Sequence, residues 1–338
     1  VSEIYFSLLY GFKNNKHIQV RVSSTHSSAY PALELDLKHQ LATLKSLPPI
    51  AESLAAMPDY LGSGYRLGEV RLAHEFANLT NTRVVSEAVA NLEKNPNSIM
   101  HLLTLSEDAG ERHVKIVSPY LFAARYRDSD GNILLDEAEE IRQWLAEDED
   151  RTYEIITNSV LTSDNFFAQS MVDMDMAPRL LLDEPHRERW QSSRDQGEAN
   201  PELVESDTWR ELVANPRLKI YETGRLDDVM LGGEVSYGKL HAKYMVSDKF
   251  GFLGTANFDY RSRLFNNEMG FFFRSEALTE DFLADFELLR TKSYRWGSPE
   301  WLEMRQALSE SGGMKGLSTA QQRELFHFLR TTGLKWQF

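Results

Sequence analysis

Apolar and polar positions along this chain change period repeatedly, and the changes mark short strands between helical stretches. Ile18-Gln-Val-Arg-Val22 alternates with a period of two and predicts a strand. A helix-like run from about Leu35 to Arg71 is punctuated by Pro48-Pro49, Pro58 and Gly62-Ser-Gly64. Asn81 to Leu92 reads as a helix closed by Asn95-Pro96. From His113 the pattern sharpens. Val114 to Ser118 predicts a strand ending at Pro119-Tyr120, Leu135 to Asp148 an acidic helix, and Tyr153 to Thr157 a second strand ending in Asn158-Ser159. Pro185 to Val204 is polar and poorly periodic, with Asp195-Gln-Gly197 and Asn200-Pro201, and predicts a surface loop. Trp209 to Ala214 follows as a helix and Leu218 to Tyr221 as a strand. Three more strands are expected at Ala242 to Val246, Gly251 to Leu253 and Met269 to Phe273. Glu280 to Thr291 predicts a long helix with Phe282, Phe286 and Leu289 on its apolar face and Leu283 beside them. Ser318 to Arg330, opening on Ser-Thr with Glu324 following, predicts the last helix. Strands alternating with helices argue for an α/β fold whose sheet is covered on its faces.

Composition narrows the function. The 338 residues carry 37 basic and 51 acidic side chains, a formal charge of -14, so the whole-chain basic footprint of a generic nucleic-acid binder is absent. A local basic pocket for one phosphate remains compatible with that balance. The chain has no cysteine, which excludes disulfides, thiolate catalysis and thiolate metal sites and leaves the redox compartment open. No apolar run reaches the roughly 18 residues of a membrane span. The chain starts Val1-Ser-Glu-Ile without an initiator methionine or the basic start of a signal peptide, and further residues are expected ahead of it.

Candidate chemistry concentrates late in the chain. In Leu240-His241-Ala-Lys243-Tyr-Met-Val-Ser-Asp248, a strand would project His241 and Lys243 into one pocket, with Ala242 and Tyr244 on the other face. Histidine titrates near neutral pH and serves as nucleophile or acid, and lysine brings a positive charge to a non-bridging phosphate oxygen. Asn257, after the tight Gly254-Thr255 turn, offers an amide donor to the same oxygens. Glu268, entering another strand, is expected to hold an imidazole by its other ring nitrogen. Asp248 follows its strand and reads as a turn or ion-pair residue. The spacing of His113-Val-Lys115 is the same, but Tyr120 stands where the carboxylate would be and no Gly-x-x-Asn follows. That pair reads as structural.

His241-x-Lys243-x4-Asp248, Gly254-Thr-x-Asn257, Asn257-x-Asp259-x-Arg261-Ser262 and Asn266-x-Glu268 together resemble the signature of the phospholipase D superfamily, most closely in bacterial cardiolipin synthases and their relatives. Asp248 and Gly254 stand one residue closer than in the usual form. Ile116-Val-Ser-Pro-Tyr120, Ile156-Thr-Asn-Ser159 with Ser163-Asp164, and Ile220-Tyr-Glu222 are similar to the strand ends before that signature, so the resemblance covers about residues 112–295. It implies a mixed sheet flanked by helices and two similar halves, the first incomplete here. The expected division is an incomplete first half with helical insertions at 1–111, the signature-bearing half at 112–300 and a helical extension at 301–338. In the family two signatures face one another across one site. One histidine attacks phosphorus to form a phosphohistidine, and the other protonates the leaving alcohol and then deprotonates the acceptor. His241 belongs to the carboxyl-terminal signature and takes the acid and base role. Lys243, Asn257 and Glu268 complete the catalytic set, with Asp248, Asp259 and Arg261 supporting it. Ser118, Tyr120, Asn158 and Thr255 are candidate pocket residues. No cofactor or metal is implied.

The second signature is not in the sequence, because no histidine other than His113 and His241 has lysine at i+2. Three arrangements are open: a partner signature in a segment outside the sequence, two copies pairing their His241 sites in a homodimer, or a degenerate module that binds lipid or protein without turnover. The hundred residues ahead of the recognisable half favour the first over the second. The resemblance implies a phosphodiesterase or phosphatidyltransferase acting on phospholipid at the periphery of a bacterial membrane, on either side of it. Alternatives are a hydrolase releasing phosphatidic acid and a nuclease of the same superfamily, the latter disfavoured by the net charge, so no nucleic-acid partner is expected. Phe265, Phe271, Phe272 and Phe273 could line an acyl groove, but alternation puts Phe272 opposite Phe271 and Phe273, and core is the simpler reading.

Overall fold

The computed structural model describes residues 68–74, 99, 102, 111–121, 123, 125–127, 130–192, 199–224, 240–248, 250–259, 262 and 266–334, all in the unit formed by residues 66–338. The expected strand Ile18 to Val22, the helix Asn81 to Leu92, Arg261 and Phe265 lie outside the described residues.

Eight strands form one mixed sheet: β1 (Glu69–His74), β2 (His113–Val117), β5 (Thr152–Asn158), β6 (Leu218–Thr223), β7 (Tyr244–Val246), β8 (Gly251–Gly254), β9 (Met269–Arg274) and β10 (Ser293–Arg295). Their spatial order is β1-β9-β8-β7-β2-β5-β6-β10, and β3 (Arg125–Arg127) pairs β4 (Ile133–Asp136) in a separate hairpin. Strands β2, β5 and β6 run parallel, with Ile116 opposite Ile155 and Ile155 opposite Ile220. The remaining pairs of the sheet are antiparallel. The parallel strands lie between β7 and the edge strand β10, with helices packed on both faces, and their apolar runs follow from that.

Successive residues of each strand feed two cores. Val117, Ile156, Tyr244 and Val246 pack under helix α7 (Glu276–Thr291), which lowers Phe286, Phe282, Leu283 and Leu289 onto them. The Tyr244 hydroxyl donates to Asp285 on that helix at 3.2 Å. Ile116, Ile155, Ile220, Met245 and Phe252 face the larger core on the other side. There the chain builds α2 (Phe166–Met171), a π-helical turn (Val172–Met176) and α3 (Ala177–Leu181), with α1 (Glu137–Glu147) before them. Helices α4 (Glu184–Ser192), α5 (Pro201–Val204) and α6 (Asp207–Val213) follow, and α8 (Pro299–Ser311), α9 (Gly313–Ala320) and α10 (Gln322–Thr332) close the layer. Trp190, Trp209, Trp296 and Trp301 meet in its centre with ring centroids 5.0–5.9 Å apart. Alternation also separates the phenylalanines of β9: Phe272 packs on Phe252 and Phe273 stacks on Phe282.

Several expected elements change. The supposed loop from Pro185 to Val204 is helical at α4 and α5, with residues 193–198 outside the described ones. Its loop cue was a helix start: Asn200 caps α5, accepting from Leu203 N, and Pro201 occupies the first turn, where its missing N–H costs nothing. Leu135 belongs to β4, and Asp136 caps α1 by accepting from Glu139 N. The end of the helix-like run before Arg71 is β1, whose Val70 and Leu72 alternate with charged residues. Ala242 and Lys243 precede the ladder of β7. The long helix starts at Glu276, and the last one is split at Gln321 into α9 and α10. Among the described residues no helix is long and apolar enough to cross a membrane.

Candidate active site

Strand direction gathers the signature. Val117 at the end of β2 pairs Tyr244 at the start of β7, Tyr244 pairs Leu253 near the end of β8, and Gly254 pairs Gly270 near the start of β9. The ends of β2, β5 and β6 therefore share one edge of the sheet with the segments carrying His241, Lys243, Thr255 and Glu268. Gly254 permits the close approach of β8 to β9, since a Cβ there would stand 2.8 Å from Met269 O and 2.6 Å from the Phe252 ring.

His241 is exposed and Lys243 is buried. The Lys243 ammonium lies 3.1 Å from His241 Nδ1 and 3.3 Å from Nε2, and it donates to His241 O at 2.8 Å. The shared face expected for the pair is realised, although both residues stand ahead of the strand. Lys243 O accepts from Gly254 N at 3.2 Å, which fastens the segment to the turn bearing Thr255.

Asn257 sits on a turn built by its neighbours. Its N–H donates to Ser262 Oγ at 3.1 Å, while Ser262 N donates to Asp259 Oδ1 at 2.7 Å. Ser118 accepts from Phe258 N at 3.1 Å and from Tyr120 N at 3.4 Å, tying this turn to the end of β2. The Asn257 Oδ1 is buried without a hydrogen-bond partner.

Glu268 does not hold the imidazole as expected. Its carboxylate accepts from the Thr255 hydroxyl and from Asn266 Nδ2, the latter at 3.2 Å. Thr255 Oγ1 also accepts from Met269 N at 3.1 Å. Glu268 is spent on the β8–β9 turn because that turn presents it with two neutral donors. Asp248 lies at the far end of β7, where it accepts from Arg112 N at 2.8 Å and His113 N at 3.1 Å. It pins the beginning of β2, away from His241. His113 Nδ1 lies 3.0 Å from Thr152 Oγ1. Lys115 pairs with Glu154 at 2.8 Å and Glu287 at 3.3 Å beneath α7. That second His-x-Lys is structural.

Asn158 and Tyr120 differ in accessibility. The Tyr120 hydroxyl donates to Asp164 Oδ1 at 3.3 Å on the partly exposed rim. Asn158 is fully buried, and its amide is taken up by backbone: Nδ2 donates to Pro119 O at 3.0 Å and to Leu240 O at 3.1 Å, and Oδ1 accepts from Leu240 N at 3.1 Å. Sequence reading missed Leu240 as an anchor, because a backbone group carries no signal in residue identity.

Behind this edge lies a buried ionic network. Arg305 of α8 pairs with Asp173 of the π-helical turn at 2.6 Å, both side chains fully buried. Glu222, near the end of β6, accepts from Trp301 Nε1 at 2.7 Å. Burial, then the nearby Asp173 charge, pushes the Glu222 carboxyl well above the usual range. Among the described residues, no group of three or more His, Asp or Glu could hold a metal ion.

An imidazole with an ammonium against it is equipped to receive an anionic group such as a phosphodiester. Residues 111–290, more than half of the chain, match the family model described as cardiolipin synthase, PLD-like domain. The chain belongs to the phospholipase D superfamily. No curated protein matches it. Among solved structures it is similar to Nuc from Salmonella typhimurium, a phospholipase D family member, at 11% identity and a TM-score of 0.35, covering 69% of this chain and 100% of that one. NucT from Helicobacter pylori is similar at 13% identity and a TM-score of 0.33, covering 67% and 98%. Phosphatidylserine synthase from Haemophilus influenzae Rd KW20 is similar at 10% and 0.43, covering 85% and 54%.

Proposed function

We propose that this chain is a phosphodiesterase or phosphatidyltransferase acting on phospholipid, with His241 as its acid and base. The observation that carries the reading is the buried Lys243 ammonium set against the exposed His241 ring. A phosphodiester needs positive charge on its non-bridging oxygens and a proton for its leaving oxygen. Lys243 supplies the charge, with the Asn257 amide as a further donor. Glu268, through Thr255, holds the turn between Gly254 and Asn257.

Turnover proceeds in two displacements. A nucleophilic imidazole bonds to phosphorus as the bond from phosphorus to the leaving alcohol oxygen breaks, and His241 gives that oxygen its proton. Water or an acceptor alcohol then attacks phosphorus, His241 takes its proton, and the phosphorus–nitrogen bond breaks. The nucleophile is expected from a segment outside this sequence or from a second copy of the chain. Contact with the membrane periphery follows from a bilayer substrate, and the net charge of -14 favours lipid over a polyanionic nucleic acid.

Release of headgroup from phospholipid vesicles tests this. His241→Ala is expected to abolish it, and retained turnover would remove His241 from the catalytic role. Supplying phosphatidylglycerol and measuring cardiolipin against phosphatidic acid separates transfer from hydrolysis. A non-catalytic module would bind the vesicles and release nothing, with His241→Ala leaving its affinity unchanged.

A further inference from the structure

Between Leu240 and Tyr244 the chain leaves the sheet. The β2–β7 ladder ends at the pair Val117 and Tyr244. Ahead of it Gly254 N of β8 still reaches Lys243 O, and on the other side of His241 a side chain holds the backbone. Asn158 Oδ1 accepts from Leu240 N and its Nδ2 donates to Leu240 O, the two bonds that a paired residue of a ladder would make. Its second amide hydrogen reaches Pro119 O at the end of β2. An Asn side chain has two donor hydrogens and an acceptor oxygen, and all three are used here. Leu240 is itself buried in the core beneath α7. The three residues that follow it are therefore held between this clamp and the first rung of β7.

We infer that Asn158, read from sequence as a pocket residue, is the positioning residue for His241, acting from the end of β5 through the backbone of Leu240. The inference rests on the proposed role of His241. Asn158 is fully buried, so it touches no substrate and its effect is confined to where the imidazole stands. Only an amide fits the position. Aspartate keeps the acceptor for Leu240 N but turns an oxygen toward two carbonyls, and alanine leaves Leu240 N, Leu240 O and Pro119 O without these bonds. Misplacement by about 1 Å at a reacting group costs on the order of 10²-fold in rate, whereas loss of a pocket contact appears in KM.

The test uses the whole chain with Asn158→Ala and the near-isosteric Asn158→Asp, assayed on vesicles and on bis(p-nitrophenyl) phosphate as a soluble probe. The expected result is a kcat lowered by about 10- to 100-fold with KM within about two-fold, at a temperature where melting curves show each variant folded. A rise in KM at unchanged kcat would make Asn158 a pocket residue and overturn the inference. So would a loss no larger than the unfolded fraction. A second readout needs neither turnover nor an active variant. The ring resonances of His241, identified by their disappearance in His241→Gln, are expected to shift position in both Asn158 variants, while those of His113 at the opposite end of β2 stay put. His241 resonances unchanged in a folded Asn158→Asp overturn the inference as well. A wild-type chain without phosphodiesterase activity, but with His241 resonances that respond to Asn158, would reject the proposed function and keep the clamp.

Discussion

Lys243 is an ammonium held mostly out of water, and burying a charge is costly unless hydrogen bonds surround it. His241 O and the imidazole lie within hydrogen-bond distance of it. An ammonium already in place when charge develops on the phosphoryl oxygens supplies the differential stabilisation that speeds phosphoryl transfer. Lys243→Met keeps the apolar stem and removes the charge. Its kcat on bis(p-nitrophenyl) phosphate is expected to fall by about 10²- to 10³-fold. Ser118→Ala acts differently. It deprives Phe258 N of its acceptor, and urea unfolding should show a loss of about 1 kcal/mol. Both His113 and His241 carry the His-x-Lys spacing, and the residues around them decide their fates: His113 meets Thr152, and Lys115 beside it is neutralised by Glu154 and Glu287.

At the scale of elements, the π-helical turn Val172–Met176 is fixed by a partner from far along the chain. Asp173 receives Arg305 from α8 and Gln169 Nε2 from α2, while its own backbone carbonyl accepts from Trp190 Nε1. Arg305 also lies over the Trp301 ring at 4.8 Å. The pair joins the helical layer before β6 to the one after β10. Arg305→Met leaves Asp173 buried without its counter-charge, and the expected loss in urea unfolding is about 3–5 kcal/mol. Adding Asp173→Leu to that variant should recover part of the loss, because a buried pair replaced on both sides leaves no stranded charge.

For the whole molecule, Glu222 sets a pH dependence of stability. Its folded pKa lies well above the ordinary carboxylate value of 4.5, because burial and then Asp173 disfavour its ionised form. A group with a raised folded pKa contributes its stability in full below the unfolded pKa, and that contribution is lost as pH rises through the folded one. Melting temperatures should therefore fall from pH 5 toward alkaline pH by more than in Glu222→Gln. That variant should match the wild type near pH 5 and exceed it at pH 8. Equal slopes in the two proteins would show that Glu222 does not carry the dependence.

Residue identity was enough to reveal the strand text of β2, β5, β6 and β9, the apolar face of α7 and the nearness of His241 and Lys243, because hydrophobic period and the spacing of chemical groups are written locally. It was also enough to discount His113. It could not reveal β1 within helix-like text or the helices at α4 and α5, whose stability comes from burial of Trp190 among rings distant in sequence. Nor could it assign partners. Glu268 belongs to Thr255 and Asn266, Asp248 to the start of β2, and Asn158 to the backbone of Leu240. A carboxylate or amide binds whichever donors and acceptors the fold brings within about 3 Å. Which ones those are depends on strand order and direction, and that is settled only when the sheet is assembled.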